Sequence, residues 1–222
     1  GQPLPPYQPD EGLIILAPGE RADLILDMIG TPGSRHAVQD SYYPQDSRHL
    51  LDLVYSADKP LRDHSPSLPM VLPSNPLPTL NMADARKFPV IFDGGAMGRL
   101  PAVDTSAHDG GGIGGFWAIN GVIAMNHDVA PLLEIKQGTT VVLDMVNATR
   151  WDHPIHLHGH HFRVLSRNGK PDPQMPWKDT ILLRPDERAE IAFVAETPGD
   201  WMVHCHILAH QETGMMGTIR IT

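Results

Sequence analysis

Apolar and polar positions alternate in short runs along most of this chain, and Gly, Pro and Asp interrupt them before helical periodicity can build up. Leu13–Leu16, Ala22–Asp27 and Leu50–Tyr55 read as three strands separated by turns, the first two joined through Pro18-Gly19. Three strands make too little sheet to stand alone, so residues 1–58 are expected to be the tail of a partial domain. Residues 59–88 contain repeated prolines and little periodicity, which predicts a linker. From residue 89 to 222 the short runs recur, with strands expected at 116–124, 132–136, 155–166, 179–184, 187–195, 201–206 and 216–221. In the run around Asp144, Val141, Leu143 and Met145 share one face and Asp144 takes the other. Gly110–Gly115 reads as a loop, since no phosphate-binding Lys-Ser/Thr follows it. The expected fold class is all-β, a Greek-key sandwich preceded by part of another.

Composition agrees with this pattern. Among 222 residues there are 20 Gly and 22 Pro with few aromatics, which suits turn-rich β structure. A formal charge of −9 with no basic run excludes phosphate neutralisation, hence nucleic acid as a partner. No stretch approaches the ~18 apolar residues of a membrane span. The single cysteine permits no intrachain disulfide and so carries no information about redox compartment. The chain opens Gly1-Gln2-Pro3 without an initiator Met, and is expected to begin inside a longer gene product.

The chemistry concentrates late in the chain, where eight of the thirteen histidines fall between residues 153 and 210. The lone Cys205 is followed by His210 and Met215, and His153 lies in an earlier His-rich run. One thiolate, two imidazoles and a distal thioether form the donor set of a blue-copper site. Zinc accepts the same donors, but its structural sites prefer several thiolates in a closed tetrahedron. In a strand, residues two apart share a face, so His204 and His206 point together while Cys205 between them points away. His156 and His158 form a second such pair. Two metal centres on opposite faces of one strand, joined by the Cys–His backbone, are therefore expected. Pro154 biases His153 toward extended backbone, and Gly214 allows the tight bend that brings Met215 in axially.

The runs His-Pro-x-His-x-His-Gly at 153–159 and His-Cys-His-x-x-x-His-x-x-x-x-Met at 204–215 closely resemble those of the last domain of multicopper oxidases. Trp117–Gly121, Phe162–Leu165 and Trp177–Thr180 support the resemblance, and Leu16–Asp23 resembles the end of that family's middle domain. The resemblance implies a cupredoxin fold and a type 1 copper on His153, Cys205 and His210, with Met215 axial. It further implies His156 at a type 2 copper and His158, His204 and His206 at a type 3 pair. His160 and His161 match no ligand and are expected as strand residues. The implied activity is laccase-like: one-electron oxidation of phenols or aromatic amines, with reduction of dioxygen to water. Cuprous ion is the alternative donor, and an electron-transfer copper module without oxygen reduction is the alternative class.

One departure matters. The family's trinuclear centre takes eight histidines from two domains, and His36, His49, His64, His108 and His127 are isolated rather than paired. The other four ligands are expected from a missing N-terminal domain or from another chain. Glu212 is a candidate proton relay, Gln211 being unable to carry one. Asp179 is a candidate for orienting a ligand or contacting substrate, and Asp152 for hydrogen-bonding a ligand imidazole. Family habit implies a periplasmic or extracellular location.

Overall fold

The computed structural model describes residues 2–61, 71–95, 116–124 and 130–222. Gly110–Gly115, His64, His108 and His127 lie outside the described residues. The chain divides into two compact units: Pro5–Ile15 with Ala22–Pro73, and a larger one of Gly1–Leu4, Leu16–Arg21 and Ser74–Thr222.

The smaller unit holds one antiparallel hairpin, β1 (Arg35–Asp40) paired with β2 (Arg48–Val54), with a register shift between Val38 and Gln39. Strand β2 takes in most of the expected run at Leu50–Tyr55, whereas β1 was not anticipated. The runs Leu13–Leu16 and Ala22–Asp27 carry no strand. Their apolar side chains are mostly exposed, and without a neighbouring ladder among the described residues their alternation has nothing to pair with.

The larger unit is a two-sheet sandwich. Its strands are β3 (Arg86–Gly94), β4 (Trp117–Ile119), β5 (Leu133–Ile135), β6 (Thr140–Asn147), β7 (His153–Leu157), β8 (Phe162–Arg167), β9 (Lys170–Pro171), β10 (Trp177–Lys178), β11 (Thr180–Leu183), β12 (Arg188–Val194), β13 (Gly199–Cys205) and β14 (Met216–Ile221). One helix of five residues, α1 (Leu208–Glu212), joins β13 to β14. One sheet runs β10-β8-β12-β6-β3-β4 with β9 on β8, and the other runs β11-β7-β13-β14-β5. Two ladders are parallel, β3 on β6 and β5 on β14, and the crossovers make a Greek-key sandwich. Strand β3 begins at Arg86, inside the stretch read as linker. The expected strand 155–166 is two strands with a turn between them, and His160 and His161 sit in that turn rather than in a strand.

Register explains the core. Opposite Val141, Leu143 and Met145 stand Phe193, Ile191 and Ala189, so the inward face of β6 meets the inward face of β12. All six are buried, and they join Phe92, Phe162 and Ile155 in one cluster between the sheets. Asp144 points outward, as its alternation requires, and pairs with Arg188 and Lys87.

Asn147, at the end of β6, is fully buried and closes the corner beneath β7. Its amide donates to the carbonyls of Trp151, Leu183 and Arg184, at 2.7, 3.1 and 2.9 Å. Its carbonyl accepts from the N–H and hydroxyl of Thr149. Replacing Asn147 by Leu strips these partners while keeping volume, and each buried polar group so orphaned costs about 1–3 kcal/mol. The expected loss is about 3–5 kcal/mol, read as a fall in denaturant midpoint with the β circular dichroism spectrum retained. A loss under about 1 kcal/mol would show that the corner does not depend on it.

Candidate metal centre

Strand β13 sits between β7 and β14, and its register with β7 sets Cys205 opposite Ile155 and His204 opposite His156. Alternation then divides the chemistry. Cys205, Val203, Ile155 and Leu157 point into the core and are all at most 2% exposed, whereas His204 and His156 share the other face.

On the core side, three donors converge. Cys205 Sγ lies 3.7 Å from His153 Nδ1 and 3.7 Å from His210 Nδ1, and the two nitrogens are 3.2 Å apart. Among the described residues this is the one group of three or more His, Cys or acidic side chains with metal-ligand proximity. His153 begins β7, Cys205 ends β13, and His210 stands on α1. Backbone bonds tie the segment together: Met215 N–H donates to His210 O, and Cys205 N–H donates to Met215 O, each at 3.0 Å. Met215 is fully buried. Gly214 precedes it at φ +115°, where an added Cβ would meet Trp117 O and Ile123 Cγ2 at 2.5 Å, so this turn admits glycine alone without rearrangement.

Proton balance fixes the ring of His153. The Asn147 amide donates to carbonyls, so its Oδ1 is an acceptor, and the Thr149 hydroxyl proton goes to it at 2.7 Å. Thr149 Oγ1 is thus an acceptor toward His153 Nε2, 2.8 Å away. His153 carries its proton on Nε2 and presents a lone pair from Nδ1 into the donor triangle. Trp117 completes the wall, its ring edge-on to His153 at 4.9 Å and tilted over His210 at 4.3 Å.

Burial keeps these groups neutral. It pushes the Cys205 thiol up to about 12, against a weak opposing hydrogen bond from Ile207 N–H. It lowers His153 to about 3, helped by His210, and lowers His210 as well.

On the opposite face, His156, His158, His204 and His206 cluster with ring centroids 4.9–5.8 Å apart. His158 Nε2 and His204 Nε2 face each other at 3.0 Å. His204 Nδ1–H donates to Cys205 O, and His156 Nδ1–H donates to Asp179 O, each at 2.9 Å, which leaves both Nε2 atoms unprotonated, that of His204 facing His158 Nε2. The Asp179 carboxylate is engaged by Arg21 and held down to about 2. Glu212 is exposed at the end of α1. His160 is buried against Phe193 and Trp201, and its Nδ1–H donates to His158 O.

His153, Cys205 and His210, named from the sequence, come together in the structure, but the residues that hold them are not evident from the sequence. Thr149, Asn147, Trp117 and Arg21 act through tertiary contacts. The signal nearest to finding Thr149 was its position four residues before His153.

A family model described as multicopper oxidase matches residues 103–222. The chain belongs to the multicopper oxidase family. A multicopper oxidase of Staphylococcus epidermidis is 47% identical over 72 residues, covering 32% of this chain and 16% of that protein. A copper resistance protein A homolog of Pseudomonas syringae pv. tomato is 36% identical over 125 residues, 56% of this chain and 20% of that protein. The crystal structure of a multi-copper oxidase from Pseudomonas thermotolerans aligns at TM-score 0.62 and 26% identity, covering 86% of this chain and 41% of that one. The matched region thus spans a fifth or less of these curated relatives' length, and the fold is the cupredoxin-like sandwich of their family.

Multicopper oxidases bind copper, and the residues present fit it. A metal about 2.0 Å from nitrogen and about 2.3 Å from sulfur sets S···N separations of about 3.5–3.8 Å at angles between tetrahedral and trigonal. Both Cys–His pairs are at 3.7 Å.

Two outcomes follow. Thr149→Val removes the acceptor for His153 Nε2–H and should weaken copper binding at this site about 10–100-fold, whereas Thr149→Ser restores it. Copper titration of the three proteins checks this, and equal affinities would dismiss the ring-holding role. The second concerns pH. Both imidazoles are already neutral near neutrality, but the metal-free thiol is protonated below about 12, so metal binding releases one proton. Apparent copper affinity should rise about tenfold per pH unit from about pH 6 to 8. A flat profile would mean the thiol is ionised before the metal arrives.

Proposed function

We propose that this chain carries the electron-accepting half of a copper oxidase that oxidises phenolic or aromatic donors in one-electron steps. The observation that carries the reading is the division across β13: a buried Cys205–His153–His210 triangle on one face and four clustered histidines on the other, joined by one peptide bond. When bound, copper supplies single-electron acceptance at the thiolate and delivery of four electrons with four protons to dioxygen, giving two waters.

The rest is the work of the protein. His153, Cys205, His210 and Met215 would hold a type 1 copper, while His156 would serve a type 2 copper and His158, His204 and His206 a type 3 pair. Full burial of His153 shields one ring from water, and the partial exposure of His210 gives reductants an edge at which to donate electrons. The Cys205–His204 and Cys205–His206 linkages would give a short covalent path between the two groups of ligands. Asp179 acts on His156 through its carbonyl, and Glu212 on the surface of α1, two residues after His210, is the candidate for proton supply. Most of residues 1–58 represents the end of a middle domain, and residues from 59 lead as a linker into the C-terminal cupredoxin domain, whose first strand starts at Arg86. The remaining trinuclear ligands come from a first domain or from another chain, and the protein works in the periplasm or outside the cell.

Similarity to a copper resistance protein favours cuprous ion as the second candidate donor, with an electron-transfer module as the behaviour of this chain alone.

Copper counting with electron paramagnetic resonance, beside an oxygen electrode, tests the proposal. The isolated chain should hold about one tightly bound copper with an intense blue thiolate charge-transfer band and consume no oxygen. The full-length protein should oxidise phenols with oxygen uptake. Cys205→Ser should abolish the band, and Met215→Leu should keep the colour while raising the potential. A blue Cys205→Ser protein would overturn the ligand set, and four coppers with oxygen reduction in the isolated chain would show ligands shared between copies.

A further inference from the structure

Segment Ala17–Arg21 belongs to the same compact unit as the histidines, although 158 residues separate Arg21 from Asp179. The turn is closed by Glu20 N–H donating to Ala17 O at 2.9 Å and by Ala17 N–H donating to Glu20 Oε2 at 3.0 Å. Two ion pairs pin it to adjacent residues: Glu20 with Lys178, and Arg21 with Asp179 through both guanidinium nitrogens and both carboxylate oxygens at 2.8 Å. Arg21 Nη1 also donates to Gly19 O at 2.8 Å, so one side chain ties the turn to itself and to Asp179.

Both ends of this arrangement reach the histidine cluster. Asp179 O and Thr180 Oγ1 lie 2.9 and 3.0 Å from His156 Nδ1. The Thr180 hydroxyl gives its proton to Asp179 Oδ1, so both oxygens accept from Nδ1–H. His156 is thereby locked with its Nε2 lone pair directed away from β11. At the other end Gly19, at φ +85°, lies flat on His206, and an added Cβ would come within 2.5 Å of His206 Cδ2. The Arg21 side chain is more than half exposed, and an ion pair so exposed adds little to stability. A bidentate fork, by contrast, fixes a carboxylate's direction whatever its net energy.

We propose that the Ala17–Arg21 turn is a positioning element for His156 and His206, with Arg21 orienting Asp179 so that its backbone carbonyl and the Thr180 hydroxyl hold His156 ready to bind metal. The inference rests on the reading that these histidines hold the second copper group.

The test uses the full-length holoenzyme, with copper content and the paramagnetic signal of the non-blue copper as readouts and the blue band as the internal control. Arg21→Met should keep the blue band while weakening copper retention at the histidine cluster about 10–100-fold under chelator challenge. Arg21→Lys keeps the charge without the fork and should show an intermediate loss. It decides the matter if the Met variant fails to fold. Gly19→Ala should broaden or shift the non-blue signal by displacing His206. His156→Ala is the reference that removes a ligand outright. If Arg21→Met and Arg21→Lys both retain copper and the wild-type signal while His156→Ala loses them, the turn is structural only and the proposal fails. If His156→Ala also retains them, the reading of the cluster fails and takes the positioning role with it.

Discussion

Everything else in the site depends on the pairing of β13 with β7. Once His204 stands opposite His156 and Cys205 opposite Ile155, strand alternation sends a thiol into the sandwich core and imidazoles to the far face. A slip of one residue would reverse both, placing Cys205 and Val203 among the histidines and His204 beside Ile155 and Leu157 in the core. Hydrophobic burial therefore specifies the metal chemistry. Leu157, Ile155 and Val203 are each almost wholly buried, and exposing that set would cost several kcal/mol, about 1.5–3 for each aliphatic side chain. The register that hides them is the register that separates the two donor groups.

That constraint explains which parts of the site were legible in the sequence. His-Cys-His is a local pattern, and its alternation holds wherever the strand is buried on one face, so the division into two donor groups could be read without coordinates. Cys205, His210 and Met215 were equally legible, because the five-residue steps between them are bridged by a single short helix and one glycine turn. His160 and His161 fall in no strand because the chain turns at His158-Gly159, between the apolar residues Leu157 and Phe162 that end one strand and begin the next. Burial and strand membership are separate properties, and His160 is buried by Phe193 and Trp201 without belonging to a ladder. The first strands failed for the converse reason. Leu13–Leu16 and Ala22–Asp27 have the composition of strands, but a strand is completed by its neighbour, and alternation alone supplies none.

The groups that hold the donors were not legible at all. Thr149 reaches His153 only because Asn147 turns the β6–β7 corner, and Trp117 reaches both imidazoles from a strand in the other sheet. Nothing in the residue types near His153 announces these contacts. Asp152 is the polar neighbour in sequence, yet the partner of the ring nitrogen is the threonine on the other side of the corner.

Those supporting contacts decide what the site can do before any metal arrives. A buried thiol held near 12 and an imidazole held near 3 form a neutral, preorganised pocket, so the core bears no uncompensated charge in the metal-free protein. The His153 Nδ1 lone pair is already directed inward. The thiol must lose its proton, and the incoming cation supplies the charge that makes a buried thiolate tolerable. On the other face His156 and His204 have their Nδ1 protons committed to backbone carbonyls, leaving Nε2 as base. The same device, a ring nitrogen protonated toward the protein so that the other nitrogen keeps its lone pair, is thus found on both sides of one strand. His153 and His156 are fixed by groups outside their own strand, Thr149 and Asp179, whereas His204 is held by the carbonyl of its neighbour Cys205.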